Sequence, residues 1–184
     1  MFEAIQQLDD SILFYILEHF HTPVLDRFMI FVTTLGNSGI IWIAITFLML
    51  LNRKTRLCGI LLTCSLLLEL LLCDGIIKPF IGRERPFTRF SDVELLIKKP
   101  GSYSFPSGHT MSSFAAASVI VYSFKHAGIP ALILACLIGF SRIYLFCHYP
   151  SDVLCGAVFG TALAIMVILI ARYIQAKAKY GTAG

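Results

Sequence analysis

The chain has 184 residues, 57% of them hydrophobic and 14% charged, with a formal net charge of +4 and a mean hydropathy of +0.79. A soluble domain of this size carries about a quarter of its residues as charges, so the composition excludes a water-soluble globule and points to one domain, residues 1–184, built into a lipid bilayer. The basic residues fall in short groups between apolar runs, which argues against a nucleic-acid partner and for topological signals.

Residues 1–20 read as an amphipathic or partly buried helix ending near "HFHTP". Glu3, Asp9, Asp10 and Glu18 within it are unlike a secretory leader. Residues 24–35 are apolar but too short to span alone, "GNSG" at 36–39 interrupts them, and 40–51 continue until "NRKTR". The run 57–77 is long enough for a crossing of about 20 residues. A polar loop with proline and glycine occupies 78–108. Further spans are expected near 109–127, 129–147 and 152–173, before the polar tail "QAKAKYGTAG". The six cysteines lie in or beside apolar runs with no C-x-x-C pair and no zinc spacing, so buried free thiols are expected.

Arg53, Lys54, Arg56, Lys125, Arg172, Lys177 and Lys179 fall on one face if the later helices alternate, and that face should be cytoplasmic. Three polar clusters then share the opposite, outward surface: "KPFIGRERP" at 78–86, "PSGH" at 106–109 and "SRIYLFCHYPSD" at 141–152. Lys78, Arg85 and Arg142 are cations, and guanidinium forks match phosphate oxygens. Pro106 and Ser107 have the form of a helix start, with Ser107 as the cap and Gly108 permitting close backbone approach; exposed amides there bind anions. Of His109 and His148, one can attack phosphorus while the other protonates the leaving oxygen. Asp152, four residues after His148, can hold its ring if 148–152 forms a helical turn.

Each cluster alone is compatible with headgroup anchoring or ordinary capping, and anchoring accounts for Arg83, Arg89, Lys98 and Lys99. A metal held by the two histidines and Asp152 is the main chemical rival. The crowded cations would repel a divalent ion, and no paired carboxylates are present to hold two.

The three clusters resemble the tripartite signature of the type 2 phosphatidic acid phosphatase family of membrane lipid phosphatases. Lys78 with Arg85 and Pro86 matches Lys, six residues, Arg-Pro. Pro106 to His109 matches Pro-Ser-Gly-His, and Ser141, Arg142, His148 and Asp152 match the third part. The resemblance covers about residues 57–173. It implies an all-α polytopic transmembrane bundle of six helices with catalytic loops on one face, working without metal or other cofactor. It also implies His148 as nucleophile through a phosphohistidine, Asp152 orienting it, and His109 as general acid. Lys78, Arg85, Arg142, Ser107 and Gly108 would bind the phosphoryl oxygens.

The chain is similar to small bacterial members. This implies a multi-pass protein of the bacterial inner membrane, acting from the outward face on a membrane lipid phosphate or diphosphate. Undecaprenyl diphosphate is the first expectation; phosphatidylglycerol phosphate or phosphatidic acid is the alternative. A transporter or lipid-binding protein using the same basic pocket is the rival class. Glu69, deep in a span, reads as either functional or structural. Asp74 is placed to pair with Lys78, Arg83 to add a second phosphate contact, Tyr103 and Phe105 either to line a tail entrance or to pack at the interface, and Gly156 with Gly160 to permit close helix packing.

Overall fold

The structure, a computed structural model, describes residues 2–181, and among these all regular structure is helical. The elements are α1 (Phe2–His19), α2 (Pro23–Gly36), α3 (Ile40–Leu51), α4 (Arg56–Leu72), α5 (Lys78–Ile81), α6 (Pro86–Arg89), α7 (Gly108–Ser123), α8 (Lys125–Tyr144) and α9 (Pro150–Gly181). The expected break at "GNSG" is a 3-10 turn, Asn37–Gly39, in which Ser38 and Gly39 adopt left-handed backbone with φ of 51° and 66°. α2 starts cleanly because Pro23 occupies its first turn and Thr22 accepts a hydrogen bond from the Leu25 amide at 3.3 Å.

α7 is the centre of the bundle, packed against α9, α8 and α4, while α3 lies on α4, α2 on α8, and α1 across α8 and α9. Ala115, Ala116, Ala117 and Val119 of α7 are completely buried. The closest approach is to α9: a Cβ added at Gly160 would lie 2.2 Å from the Met111 carbonyl oxygen and 3.0 Å from the Ala115 nitrogen. Glycine at 160 lets the two backbones touch, as the G-x-x-x-G spacing suggests. Outward-facing apolar residues such as Phe47, Leu67, Leu154 and Leu169 present hydrocarbon to the bilayer.

An all-α, polytopic membrane bundle is therefore present, but among the described residues fewer than six segments are long and apolar enough to cross. Four such segments are found among these residues: Pro23–Leu51, Arg56–Arg89, Lys125–Tyr144 and Pro150–Lys179. α2 and α3 together make one broken span. α7, at 16 residues, is about 24 Å long, short of a hydrocarbon core of about 30 Å. α1 turns Asp9 inward onto polar partners, as the site geometry explains. Several boundaries also differ from expectation: α7 gives way to α8 at Phe124 rather than near residue 128, and α8 ends at Tyr144 rather than near 147. α4 does not stop at 77 but runs through a π-helical turn, Cys73–Ile77, into α5, and the polar tail is helical to Gly181 because α9 is continuous. Of the six cysteines, Cys58, Cys73 and Cys147 are buried as expected, whereas Cys64 and Cys136 are exposed on the outside of their helices.

Candidate active site

Chain ends of successive helices converge at one end of the bundle. The π-turn before α5 delivers Lys78, the extended residue before α6 delivers Arg85, and the start of α7 delivers Ser107, Gly108 and His109. Arg142 comes from the last turn of α8, His148 from the turn that follows, and Asp152 from the first turn of α9. A cavity of about 790 Å³ opens there, lined by Lys78, Arg83, Arg85, His109, Arg142, Ser102 and Tyr103, while Ser107, Gly108, His148 and Asp152 lie outside its lining.

His148 is 1% exposed. Its Nε2 lies 3.0 Å from Arg85 Nη1. A guanidinium can only donate, so Nε2 carries the lone pair and Nδ1 the proton. The Asp152 carboxylate, fully buried, stands behind the ring with Oδ2 at 3.5 Å from His148 Nδ1. The two residues meet across the turn as the spacing predicted, yet the contact is long because Asp152 has other partners. Its Oδ2 accepts the Ser104 hydroxyl at 2.5 Å and the Tyr149 amide at 3.0 Å, and its Oδ1 accepts Arg83 Nη1 at 2.5 Å. Burial, reinforced by the positive charges of Arg85, Arg142 and Lys78, holds the His148 pKa well below its ordinary 6.5, against a weaker opposing bond to the Ser104 backbone. The ring is neutral, the form a nucleophile requires.

The cations are held in different ways. Arg85 donates to the carbonyls of Ser102 and Cys147 at 2.6 and 2.9 Å and to the Ser102 hydroxyl at 3.1 Å. Lys78 is paired with Asp74 at 2.5 Å, as its spacing suggested. Arg142 is 2% exposed and donates through Nη1 to Thr33 Oγ1 at 2.6 Å, while its Nε has no partner among the described residues. A buried guanidinium with an unused donor is costly unless something negative completes it. That is the strongest single sign of an anion site.

Ser107 occupies the N-cap position of α7, but its hydroxyl makes no capping bond. It accepts from Thr110 Oγ1 at 2.9 Å, and its amide donates to the Asp152 carbonyl at 3.1 Å. A Cβ at Gly108 would stand 3.3 Å from Lys78 Nζ, so the absence of a side chain leaves room for the ammonium. His109 Nε2 is 2.9 Å from Asn37 Oδ1. Arg83 lines the same cavity, but both of its Nη atoms donate to Asp152, Ser151, Asp9 and Gln6. Among the described residues no group of three His, Cys, Asp or Glu side chains is placed to hold a metal ion.

A second, apolar groove of about 570 Å³ runs between α3 and α4, lined by Ile43, Phe47, Leu66 and Leu70 with Glu69 at its polar end. It shares Ser38 and Asp74 with the polar cavity. Tyr103 lines the polar cavity, whereas Phe105 packs edge-on against Phe159.

Sequence reasoning did not single out Asn37, Thr33, Ser102, Ser104 or the site role of Asp9. Asn37 sits in the "GNSG" break and Ser102 and Ser104 in "GSYSFPSGH", where the only signal was polar residues close to a motif. Thr33 gives no local sign, because its partner is 109 residues away.

The sequence profile of the PAP2 superfamily matches residues 53–176. Undecaprenyl-diphosphatase of Sulfolobus acidocaldarius is 31% identical over 159 residues, which cover 86% of this chain and 76% of that protein. The crystal structure of the transmembrane PAP2-type phosphatidylglycerolphosphate phosphatase of Bacillus subtilis superposes with a TM-score of 0.77 at 31% identity, over 93% of this chain and 88% of that one. That of Aquifex aeolicus LpxE gives 0.74 at 31% identity, over 89% and 93%.

Proposed function

This chain belongs to the PAP2 superfamily and is a multi-pass membrane phosphatase, and from that premise we propose that it removes phosphate from a membrane lipid through a phosphohistidine, without a metal. The observation that carries this reading is the neutral His148, Nε2 toward Arg85, beside a cavity walled by Lys78, Arg85 and Arg142. Those cations take the phosphoryl oxygens, with Ser107 and Gly108 at the start of α7 alongside. His148 Nε2 attacks phosphorus as the bond to the leaving oxygen breaks, and His109 gives that oxygen its proton. A water then attacks the phosphohistidine, its proton passing to His109. The P–N bond breaks, inorganic phosphate departs, and both histidines return to their starting states. Asp152 keeps the His148 proton on Nδ1.

We propose that the site faces outward from a bacterial inner membrane, since Arg53, Lys54, Arg56, Lys125 and Arg172 lie toward the other end. In this arrangement α7 is a fifth crossing enclosed by its neighbours, and α1 lies at the outer surface. Undecaprenyl diphosphate is the first choice of substrate, supported by the similarity to a protein of that activity over most of both chains. The alternative, phosphatidylglycerol phosphate or phosphatidic acid, is favoured by the fold match to a phosphatidylglycerolphosphate phosphatase.

The test is phosphate release from each lipid by purified protein in detergent with excess chelator, with His148→Ala as control. Chelator-resistant turnover that disappears in the variant is expected, and the faster lipid identifies the substrate class. Turnover that survives in His148→Ala, or that chelator abolishes, would overturn the mechanism. Tight lipid binding without release by folded protein would favour a transporter or lipid-binding role.

A further inference from the structure

We infer that Arg83 is a positioning residue, which together with Asp9 of α1 aims the Asp152 carboxylate at the nucleophilic histidine. The inference rests on the phosphohistidine reading. Arg83 lines the cavity together with Lys78, Arg85 and Arg142, yet its hydrogen bonds form a short polar chain that includes none of them. Its Nη1 donates to Asp152 Oδ1 at 2.5 Å and to Ser151 Oγ at 2.8 Å. Its Nη2 donates to Asp9 Oδ2 and to Gln6 Oε1, both at 2.7 Å. The guanidinium carbon lies 4.0 Å from the centre of the Tyr149 ring, so the plane of the group is clamped from one face as well as at its edges.

Asp9 is almost fully buried, and it acts on the same helix start by a second route. Its Oδ1 accepts the Ser151 amide at 2.9 Å and its Oδ2 the Ser151 hydroxyl at 2.5 Å. The first amides of α9 have no partner within the helix, and a carboxylate at a helix N-terminus is favourable. Asp9 thus caps α9 from another element, and the turn it caps is the one that carries Asp152. With Oδ1 held by Arg83 and Oδ2 by Ser104 and Tyr149, the Asp152 carboxylate cannot rotate, and its Oδ2 edge is presented to His148 Nδ1. Arg83 touches neither histidine in any of these contacts. A monodentate lysine would keep the charge but lose the simultaneous grip on Asp152 and Asp9.

The experiment is steady-state hydrolysis of a short-chain phosphatidic acid in detergent by wild type, Arg83→Gln, Arg83→Lys, Asp9→Asn, Asp152→Asn and the Arg83→Gln/Asp152→Asn double variant, with inorganic phosphate as competitive inhibitor. Arg83→Gln should lower kcat by about 10- to 100-fold, the scale of a misplaced reacting group. KM and the phosphate inhibition constant should stay within about twofold, as the phosphate contacts are untouched. In the Asp152→Asn background the same change should cost almost nothing more. Arg83→Lys should recover part of kcat, and Asp9→Asn should lose about 3- to 10-fold; these two carry the test if Arg83→Gln fails to fold. A weakened phosphate inhibition constant with kcat retained would make Arg83 a phosphate ligand. Additive losses in the double variant would separate it from Asp152. Either result overturns the inference while wild-type turnover stays dependent on His148. Loss of that dependence removes the phosphohistidine reading itself, and this inference with it.

Discussion

Asn37 Oδ1 stands 2.9 Å from His109 Nε2, so a residue in the break of the first span anchors the ring proposed as general acid. The break itself is tight, since a Cβ on Gly36 would lie 2.9 Å from His109 Cδ2. The N-terminal third of the chain, outside the region matched by the family profile, thereby contributes to the site.

Removing that anchor should harm protonation of the leaving oxygen rather than phosphate binding. Asn37→Ala is expected to lower kcat on an alkyl phosphate by about 10-fold, and His109→Ala by about 100-fold or more. Both should lose much less on p-nitrophenyl phosphate, whose leaving group needs little help. Equal losses on the two substrates would remove His109 from the acid role.

Arg142→Lys should leave the protein folded and nearly inactive. The guanidinium bonds Thr33 through Nη1 and keeps its Nε free beside the cavity, a fork that an ammonium cannot reproduce. We expect kcat/KM to fall by about 100-fold, the cost of losing one aligned transition-state donor. Near-normal turnover would show that only the charge matters.

Stability should decline on acidification, with a part traceable to His148. Its folded pKa is depressed, so below the ordinary 6.5 the unfolded chain binds a proton that the native chain refuses. The contribution is complete above about 6.5 and is lost as pH falls toward the folded value. Thermal midpoints between pH 7.5 and 5 should drop less in His148→Gln than in wild type. The same depression keeps the nucleophile neutral through this range, so the acid limb of kcat/KM should not carry a pKa near 6.5 from His148. Identical pH slopes in the two proteins would contradict this environment for the ring.

Packing between α7 and α9 gives a prediction independent of chemistry. The Met111 carbonyl oxygen occupies the space a side chain at 160 needs. Gly160→Ala should therefore push the helices apart and destabilise the protein by about 1–3 kcal/mol, read as a lowered unfolding midpoint in detergent. Gly101→Ala, with nothing within 4 Å of the added carbon, is the control. An unchanged midpoint for the first would mean the two helices can separate freely.

Composition and motif order were enough to read the membrane class, the main apolar runs, the break at "GNSG" and the gathering of Lys78, Arg85, His109, Arg142, His148 and Asp152 at one surface. An apolar chain that crosses a bilayer in alternation has few ways to arrange its polar ends, and the pairs Asp74–Lys78 and His148–Asp152 sit at helical spacing. Local pattern did not reveal that α7 is a short, enclosed helix or that α4 extends through a π-turn, because burial on all sides and a shifted hydrogen-bond register leave no periodic mark. Nor did it reveal what holds each functional group. Thr33 and Arg142 are 109 residues apart, Asp9 and Arg83 are 74, and Asn37 and His109 are 72. Buried polar groups must find partners wherever the fold places them, and no rule of spacing connects residues that only tertiary packing brings within hydrogen-bonding reach.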